Sequence, residues 1–291
     1  MLENIKIWTG ETGDYKLLDC GDRKKLEEIG GVRIERDEPR AWWKPELSKE
    51  EWKNTETALE KVIDIGLNGI RAKIKFKNIS KHIGIFPEQA GQWKWIRNKI
   101  SNIQYQMPNR EINVLNLFGY TGVASLVAAQ AGLSREAEAK WEVKVTHVDA
   151  SKQSIDWARE NQKLSGLENA PIRWIFDDVV KFVKKEIRQG KKYDAIIMDP
   201  PSYGHGPNGE IWKIEEKIPD LLSACREILS DKPLFVILNM YSTELSSLSV
   251  ANLLTDMVKN LGGNIESGEL AIKQENSNRL LPMSIFALWQ K

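Results

Sequence analysis

The residues with the clearest chemical meaning form one short run, Asp199-Pro200-Pro201-Ser202-Tyr203, which follows an apolar segment ending at Met198. The apolar segment predicts a buried strand, and each proline fixes its own φ and donates no backbone hydrogen bond. The run therefore predicts a stiff corner that carries one carboxylate, prolyl carbonyl groups and an aromatic ring. Such a corner can accept hydrogen bonds from a flat amine and stack on its face. The simpler alternative is a Pro-Pro turn capped by Asp199.

A glycine-containing loop is the second feature, and it joins a predicted strand, Asn113–Leu117, to a predicted helix, Gly122–Ala131. Gly119 and Gly122 allow the backbone to turn tightly and to approach a ligand at the carboxyl end of a parallel strand. The alternative is an ordinary strand-to-helix turn. The loop lacks the Gly-x-Gly-x-x-Gly spacing of dinucleotide sites, and the chain has no Walker lysine.

Acidic residues end the next two predicted strands. The second strand ends in Asp149 before Ala150, and the third is followed by Asp177 and Asp178. An acid at the end of the second strand is placed to accept hydrogen bonds from ribose hydroxyls, although Asp149 could instead cap the helix that starts near Ser151. Asp177 or Asp178 could accept from the amino group of an adenine ring, and one of the two is expected to cap the next helix.

From about residue 89 onward, helices alternate with short apolar strands, which predicts an α/β fold with a mostly parallel sheet and helices on both faces. The predicted helices are Gln92–Gln106, Gly122–Ala131, Ser151–Leu164, Val179–Gln189, Ile214–Leu229 and Leu245–Leu261. The predicted strands are Asn113–Leu117, Lys144–Asp149, Ile172–Phe176, Asp194–Asp199, Leu234–Leu238, Ser267–Lys273 and Met283–Gln290. The last two have a short connection, so we expect one antiparallel strand.

The N-terminal part has short strands and turns instead. Tyr15–Gly21 and Val32–Arg36 read as strands, with Gly30-Gly31 as a turn between them. Ser48 opens a capping-box pattern. The alternation in Ile70–Phe76 predicts a half-buried strand with a cationic outer face, which either contacts RNA or is simply solvated.

We therefore divide the chain into a small β-rich N-terminal domain, residues 1–84, and a larger α/β domain, residues 85–291. The segment Ser134–Lys140 reads as an inserted, solvated helical turn. It lengthens the spacing between the glycine loop and Asp149 beyond the usual distance of about 20 residues.

The composition limits the class of protein. Of the 291 residues 29% are charged, no apolar run is long enough to span a bilayer, and the start of the chain does not resemble a signal peptide. We expect a cytoplasmic protein without a membrane partner. Cys20 and Cys225 are far apart, and the three histidines form no ligand pattern, so no metal site is predicted. The net charge of +1 neither supports nor excludes a nucleic-acid partner.

The order of a glycine loop, two acidic strand ends and Asp199-Pro200-Pro201-Ser202-Tyr203 resembles the class I S-adenosylmethionine-dependent methyltransferases. More narrowly, the chain is similar to a bacterial family of large-subunit (23S) ribosomal-RNA methyltransferase-like proteins with a small N-terminal β-rich domain. The similarity lies in Tyr15–Trp43, Phe86-Pro87-Glu88-Gln89, the glycine loop and Asp199–Leu229. It implies a class I (Rossmann-like) fold, S-adenosylmethionine as cofactor, and methylation of a nucleic-acid base, in ribosomal RNA and at a nitrogen.

The resemblance also implies roles for individual residues. Three would line the methionine part of the cofactor: Phe118, Gly119 and Gly122. Asn116 would contact its amino-acid end, and Gln89 would close over it from the domain junction. The residues implied for the nucleoside are Asp149 with Ala150 for the ribose, and Asp177 or Asp178 for the adenine.

Asp199 would lie nearest to both the methyl donor and the acceptor. Its carboxylate and the Pro200 carbonyl would accept N–H bonds from an exocyclic amine, and Tyr203 would stack on the base. Methylation at a cytosine carbon would instead need a cysteine nucleophile. Neither the fourth nor the fifth strand is followed by a cysteine, and Cys225 falls inside a predicted helix.

Two further alternatives stay open: a methyltransferase acting on a small molecule or protein side chain, and a non-catalytic RNA-binding module. The segment His205–Trp212 is rich in turn-forming residues and reads either as a lid beside the acceptor or as a surface excursion.

Overall fold

The computed structural model describes residues 5–53, 55–56, 60–76, 83–108, 110–133, 142–241 and 244–291. The strands are β1 (Ile5–Trp8), β2 (Tyr15–Gly21), β3 (Lys24–Ile29), β4 (Val32–Asp37), β5 (Lys61–Leu67), β6 (Ile70–Phe76), β7 (Ile112–Leu117), β8 (Val143–Asp149), β9 (Ile172–Phe176), β10 (Ala195–Met198), β11 (Tyr203–His205), β12 (Ile211–Lys213), β13 (Phe235–Met240), β14 (Asn264–Lys273) and β15 (Leu280–Gln290). The helices are α1 (Lys49–Lys53), α2 (Ala90–Gln106), α3 (Val123–Ala131), α4 (Lys152–Leu164), α5 (Val179–Arg188), α6 (Ile214–Glu227) and α7 (Ser247–Met257).

Eight of these strands form the central sheet, in the order β1-β14-β15-β13-β10-β7-β8-β9. The five strands β13, β10, β7, β8 and β9 are parallel to one another. Strand β15 is antiparallel to both β13 and β14. The predicted α/β fold, with a mostly parallel sheet and an antiparallel C-terminal strand, is confirmed. The chain reverses its direction of progression across the sheet between β7 and β10, and a crevice opens there beyond the carboxyl ends of the strands.

Apolar side chains from helices are buried on both faces of this sheet. One cluster contains Ile96 of α2 and Leu126 of α3, and it continues into the N-terminal strands through Tyr15. The other contains Phe182 of α5 and Leu222 of α6. The N-terminal strands therefore share a core with one face of the large sheet.

The N-terminal region contains strands that the sequence did not reveal. Strands β2, β3 and β4 form an antiparallel sheet, and β5 pairs with β6. The predicted Gly30-Gly31 turn joins β3 to β4. The turn between β2 and β3 is formed by Asp22 and Arg23, whose φ angles are 48° and 66°. Because such left-handed turns usually use glycine or asparagine, Asp22-Arg23 gave no turn signal.

Strand β1 was also missed, and it pairs in parallel with β14 at the edge of the central sheet. The division of the chain at residues 84 and 85 stays a prediction, but this first strand lies in the larger sheet.

The strand β15 starts earlier than predicted and includes Pro282, which lies beside Ala271 of β14. The pairing of β15 with β13 begins only at Ile285, so proline occupies a locally free edge.

The expectation of a cationic outer face on β6 is wrong for two of its lysines. Lys73 and Lys75 are half-buried, and their Nζ atoms lie 3.5 and 3.4 Å from Glu160 of α4. Lys75 also lies over the ring of Trp157, 4.5 Å from its centroid. These lysines hold β6 against α4 rather than presenting charge to a partner.

The predicted capping box is confirmed, since Ser48 and Glu51 exchange hydrogen bonds at the start of α1. The predicted turn at 134–140 lies outside the described residues.

Candidate active site

The glycine loop after β7 has an unusual backbone. Phe118, Tyr120 and Gly122 have φ angles of 57°, 51° and 85°, and this left-handed region is unfavourable for the two aromatic residues. Gly119 is needed for a different reason, because a Cβ there would lie 2.3 Å from Cε1 of His147. The sequence indicated a tight loop at the glycines, but it did not indicate that Phe118 and Tyr120 are the residues held in strained conformations.

A buried polar chain supports this loop. Nδ2 of Asn116 donates to Oγ of Ser125 over 2.9 Å, and that oxygen lies 3.0 Å from Nδ1 of His147. Burial lowers the pKa of His147 to about 3, so its ring is neutral. Asn116 also borders a small cavity of about 30 Å³, together with Gln89, Gly119 and others. The predicted contact of Asn116 with a cofactor stays a prediction.

Asp149, at the end of β8, does not cap a helix. Its Oδ2 accepts a hydrogen bond from the amide of Tyr120 and its Oδ1 accepts one from the amide of Ser151, both over 2.8 Å. Ser151 is itself the cap of α4, accepting from the amide of Ser154. Burial raises the pKa of the Asp149 carboxyl. Asp149 and Ala150 are partly exposed and line a large cavity, and their contact with a ribose stays a prediction.

The two acids after β9 have different surroundings. Asp178 caps α5 by accepting a hydrogen bond from the amide of Lys181, and it also lines the large cavity. Asp177 accepts a hydrogen bond from the amide of Asp178 over 2.8 Å. The predicted cap is thus Asp178, which is also the member of the pair that borders the cavity.

The Asp-Pro-Pro corner follows β10, next to β7. Oδ2 of Asp199 accepts a hydrogen bond from Nε2 of Gln89 over 2.7 Å, and the same amide nitrogen lies 3.0 Å from the hydroxyl of Tyr241. Oδ1 of Asp199 is buried and has no hydrogen-bond partner among the described residues. Burial raises the pKa of Asp199 to about 7; Gln89 opposes this, and the charge of Glu88 adds to it. Asp199 is therefore held in place through Oδ2, while its Oδ1 is left without a hydrogen-bond donor among the described residues.

The segment after the corner is a β-hairpin, not an open loop. Strands β11 and β12 pair antiparallel, and Nε1 of Trp212 donates to the Pro201 carbonyl over 2.6 Å. The ring of Trp212 is buried against Phe118, with 4.8 Å between centroids. Tyr203 and His205 are both exposed, and the Tyr203 hydroxyl lies 3.2 Å from Nε2 of His205. The hairpin thus fastens the corner to the glycine loop and presents Tyr203 beside the cavity.

A charge network of the N-terminal region reaches the cavity through Lys25, Arg36, Glu38 and Arg40, and sequence reasoning missed it. Glu27 accepts hydrogen bonds from Arg36, and Nζ of Lys25 lies 3.5 Å from both Glu27 and Glu38. Nη1 of Arg40 donates to Glu38 over 3.1 Å. The charged strand β3 gives a weak apolar signal, and its buried lysine and glutamate are stabilised by these partners and by the Tyr15 hydroxyl, which donates to Glu27 over 2.7 Å.

The cavity has a volume of about 1390 Å³. Ligand pockets usually measure about 300–1,000 Å³, so this one exceeds the usual size of a site for a single small molecule. The cavity is lined by residues from distant parts of the sequence. They include Arg40 of the N-terminal region, Phe86, Glu88, Asp149, Asp199 and Tyr241. Sequence reasoning assigned no role to Glu88 or Tyr241. The only signal for Glu88 was its place in the Phe86–Gln89 segment.

Among the described residues no cluster of His, Cys, Asp and Glu is arranged to hold a metal ion. The helices in the described part of the chain are all too short or too polar to cross a membrane.

Comparison with known proteins identifies relatives of this chain. The crystal structure of the S-adenosylmethionine-dependent methyltransferase from Agrobacterium tumefaciens is similar over 98% of this chain and 93% of that one, with 39% sequence identity and a TM-score of 0.89. The ribosomal RNA large subunit methyltransferase I of Klebsiella pneumoniae (strain 342) is 36% identical over 113 residues, which are 39% of this chain and 23% of that protein. Its namesake in Aeromonas salmonicida (strain A449) is 30% identical over 171 residues, or 59% of this chain and 35% of that protein.

The matched parts thus cover only a quarter to a third of these curated relatives. The family model for S-adenosylmethionine-dependent methyltransferases matches residues 40–233, well over half of the chain. That range contains the glycine loop, Asp149, Asp178 and the Asp199 corner. The chain therefore belongs to the family of S-adenosylmethionine-dependent methyltransferases and uses S-adenosylmethionine as its cofactor.

Proposed function

We propose that this methyltransferase transfers the methyl group to an exocyclic nitrogen of a base in ribosomal RNA. The observation that carries the proposal is the rigid Asp199 corner, whose Oδ1 has no hydrogen-bond partner among the described residues and which lines the large cavity. A buried carboxylate oxygen without a donor is unfavourable, and an amine N–H would satisfy it. The relatives from Klebsiella and Aeromonas, named as ribosomal RNA methyltransferases, support RNA as the substrate.

The cavity is large enough for the cofactor, and its lining residues support the following placement. Asp149 would accept hydrogen bonds from the ribose and Asp178, rather than Asp177, from the adenine amino group, because Asp178 borders the cavity. The methionine part would lie along Phe118 and Gly119, with Gly122 shaping the loop. We place Ala150 beside the ribose, and Gln89 and Asn116 near the amino-acid end, where both border the smaller cavity.

S-adenosylmethionine supplies a methyl group already activated by the positive sulfonium, so the protein mainly has to align the acceptor. The Asp199 carboxylate accepts a hydrogen bond from the acceptor amine and turns its lone pair toward the methyl group. Pro200 is buried and holds the corner rigid, while Tyr203 stacks on the base at the mouth of the cavity.

Purified ribosomal RNA, incubated with the enzyme and S-adenosylmethionine carrying a labelled methyl group, tests the proposal. We expect label in RNA and in a single methylated nucleoside. Transfer only to small molecules or protein, or tight RNA binding without any transfer, would overturn it.

The rate of transfer should depend on pH through Asp199. Burial raises the pKa of this carboxyl to about 7, and only its ionised form accepts the amine hydrogen bond without a competing proton. At saturating substrates we therefore expect the rate to rise with pH, to reach half of its maximum near pH 7 and to approach a plateau at higher pH. The check is a profile of kcat between pH values of about 6 and 8, with cofactor affinity measured in parallel. A flat kcat would contradict the assignment.

The cysteines should be dispensable. Cys225 is fully buried in α6, burial strongly raises the pKa of its thiol, and it does not line the cavity. Cys20 is buried in β2, with a pKa raised to about 11 by burial. We expect Cys225→Ser to retain the wild-type rate per folded molecule, because a covalent route needs an accessible thiolate. An inactive but folded Cys225→Ser enzyme would restore the cytosine-carbon mechanism.

A further inference from the structure

The N-terminal region carries an exposed tryptophan with a fixed orientation. Trp42 has 76% of its surface exposed, more than any other tryptophan among the described residues. Its indole Nε1 donates a hydrogen bond to the Pro39 carbonyl over 2.6 Å, and its amide donates to the Arg40 carbonyl over 3.0 Å. The ring is therefore held in place, although it contributes to neither of the two apolar clusters.

The neighbouring tryptophan anchors this segment of the chain. Trp43 is half-buried, and its Nε1 donates to a carbonyl of β2 over 2.8 Å. The amides of Asp22 and Arg23, in the turn between β2 and β3, donate to the carbonyls of Trp43 and Ala41, each over 2.7 Å. Trp42 thus lies between two residues that are bound to the turn. A side chain that is already fixed loses little entropy when a ligand binds to it.

A cation covers one face of the Trp42 ring. The guanidinium carbon of Arg23 lies 5.4 Å from the ring centroid, within the distance of about 6 Å that is usual for a cation–π contact. Because Arg23 occupies one side, the exposed area of the ring belongs mainly to its other face and its edges. Asp22, the acid next to Arg23, is paired with Nζ of Lys44 over 2.9 Å. In the described part of the chain Arg23 itself has no acid within ion-pair distance.

This aromatic surface is continuous with the cavity. Four consecutive residues that precede the two tryptophans line the cavity: Asp37, Glu38, Pro39 and Arg40. Trp42 follows two residues later, and two residues span at most about 7 Å between Cα atoms. A substrate longer than one nucleotide, bound in the cavity, would therefore extend onto the Trp42 surface.

The chemistry of the surface selects the kind of ligand. Bases in single-stranded RNA expose flat faces that stack on aromatic rings, and this stacking tolerates any of the bases. A cation beside such a ring adds attraction for the phosphate backbone. In duplex RNA the base faces are already stacked within the helix and are not available. An open aromatic face backed by a guanidinium therefore fits an unpaired nucleotide better than a duplex.

We propose that Trp42, backed by Arg23, binds an unpaired RNA nucleotide next to the one that is methylated, with its base stacked on the open face of the indole ring. This inference rests on the proposed function and adds the surface that holds the flanking RNA. The target base enters the cavity, while its neighbour is held outside by Trp42. This contact contributes to the binding energy that offsets the unstacking of the target base. Trp42 is thus a substrate-binding residue that does not touch the reacting atoms.

Binding of a fluorescent single-stranded oligouridylate to the full chain tests the inference without any methyl transfer. We expect Trp42→Ala to raise the dissociation constant about 5- to 150-fold, the range for loss of one base–aromatic stack. Trp42→Phe keeps an aromatic face and should retain most of the affinity. The same oligouridylate annealed to oligoadenylate should bind the wild type and Trp42→Ala equally. Thermal unfolding checks that each variant is folded, which we expect because Trp42 lies outside both apolar clusters.

The matched control is Tyr105→Ala. Tyr105 is also an exposed aromatic residue, with 89% of its surface accessible, but it lies 15 residues after the first residue of α2, or roughly 22 Å along the helix. Its removal should leave the affinity for the oligouridylate at the wild-type value. With ribosomal RNA as substrate, Trp42→Ala should raise KM by a factor similar to that in the dissociation constant. It should leave kcat and the affinity for S-adenosylmethionine unchanged.

The outcomes separate this inference from the proposed function. Equal affinity of the wild type and Trp42→Ala for the single strand, or an equal loss on the duplex, would overturn the inference. An equal loss in Tyr105→Ala, or no binding of the single strand by the wild type, would also overturn it. Methylation of ribosomal RNA by the wild type would in each case leave the proposed function intact. Binding of single-stranded RNA through Trp42 without methyl transfer to any RNA would overturn the proposed function, and with it the place of Trp42 beside a target nucleotide.

Discussion

Replacing Asp199 with alanine is expected to lower the rate of methyl transfer by about 100- to 1,000-fold, the range for loss of one preorganised hydrogen-bonding group in a transition state. The reason is geometric: Oδ2 of Asp199 is already bound to Gln89, and Oδ1 is the atom left for the acceptor amine. The dissociation constant of S-adenosylmethionine should stay within a few-fold, because the cofactor is assigned to Asp149 and the glycine loop. Single-turnover kinetics and calorimetric titration measure the two quantities separately.

Asp199→Asn serves as the matched variant, since it keeps the shape and one acceptor oxygen but removes the charge. We expect it to bind cofactor like the wild type and to transfer slowly, without the rise in rate near neutral pH. If alanine at residue 199 weakened cofactor binding and transfer equally, Asp199 would be a cofactor ligand rather than the group that orients the acceptor.

Replacing Asp149 with alanine should weaken binding of S-adenosylmethionine by about 1–3 kcal/mol, the range for loss of a hydrogen bond to a charged group. This corresponds to about 5- to 150-fold in the dissociation constant. Asp149 lies at the end of β8 and lines the cavity, and it also holds the amides of Tyr120 and Ser151. At saturating cofactor we expect the rate of transfer to change much less than the affinity.

Asp149→Ala also removes those two amide contacts, which shape the backbone around the loop. The control for such a structural effect is Ser151→Ala. It removes the cap of α4 while leaving Asp149 in place, and should lower stability by about 1 kcal/mol. Cofactor affinity in that variant should remain within threefold of the wild type. Unchanged affinity in Asp149→Ala would exclude Asp149 from the ribose contact.

The sequence predicted the central sheet well because its strands are buried on both faces. Strands β7, β10 and β13 are short apolar runs, and each is separated from the next by an amphipathic helix or a turn signal. The edge strand β1 and the charged strand β3 were missed for the opposite reason. Four charged residues in β3 hide a strand whose burial depends on pairing with Arg36 and Glu38, which no local pattern reveals.

The residues of the site also fall into a group that the sequence predicted and a group that it did not. Asp149, Asp178 and Asp199 could be predicted because parallel strands bring their carboxyl ends to one edge of the sheet. Glu88 and Tyr241 could not be assigned from the sequence, because they reach the cavity only through the packing of the segment before α2 and the end of β13 beside Asp199. The strain at Phe118 and Tyr120 was hidden because nothing in their residue type indicates a left-handed backbone.

A crystal structure with S-adenosylhomocysteine bound tests the central claim most directly. We expect ribose hydroxyls on the Asp149 carboxylate and the sulfur facing the Asp199–Pro200 corner, with open space for a planar base beside that corner. A nucleoside bound away from Asp149, or a sulfur directed away from Asp199, would contradict it.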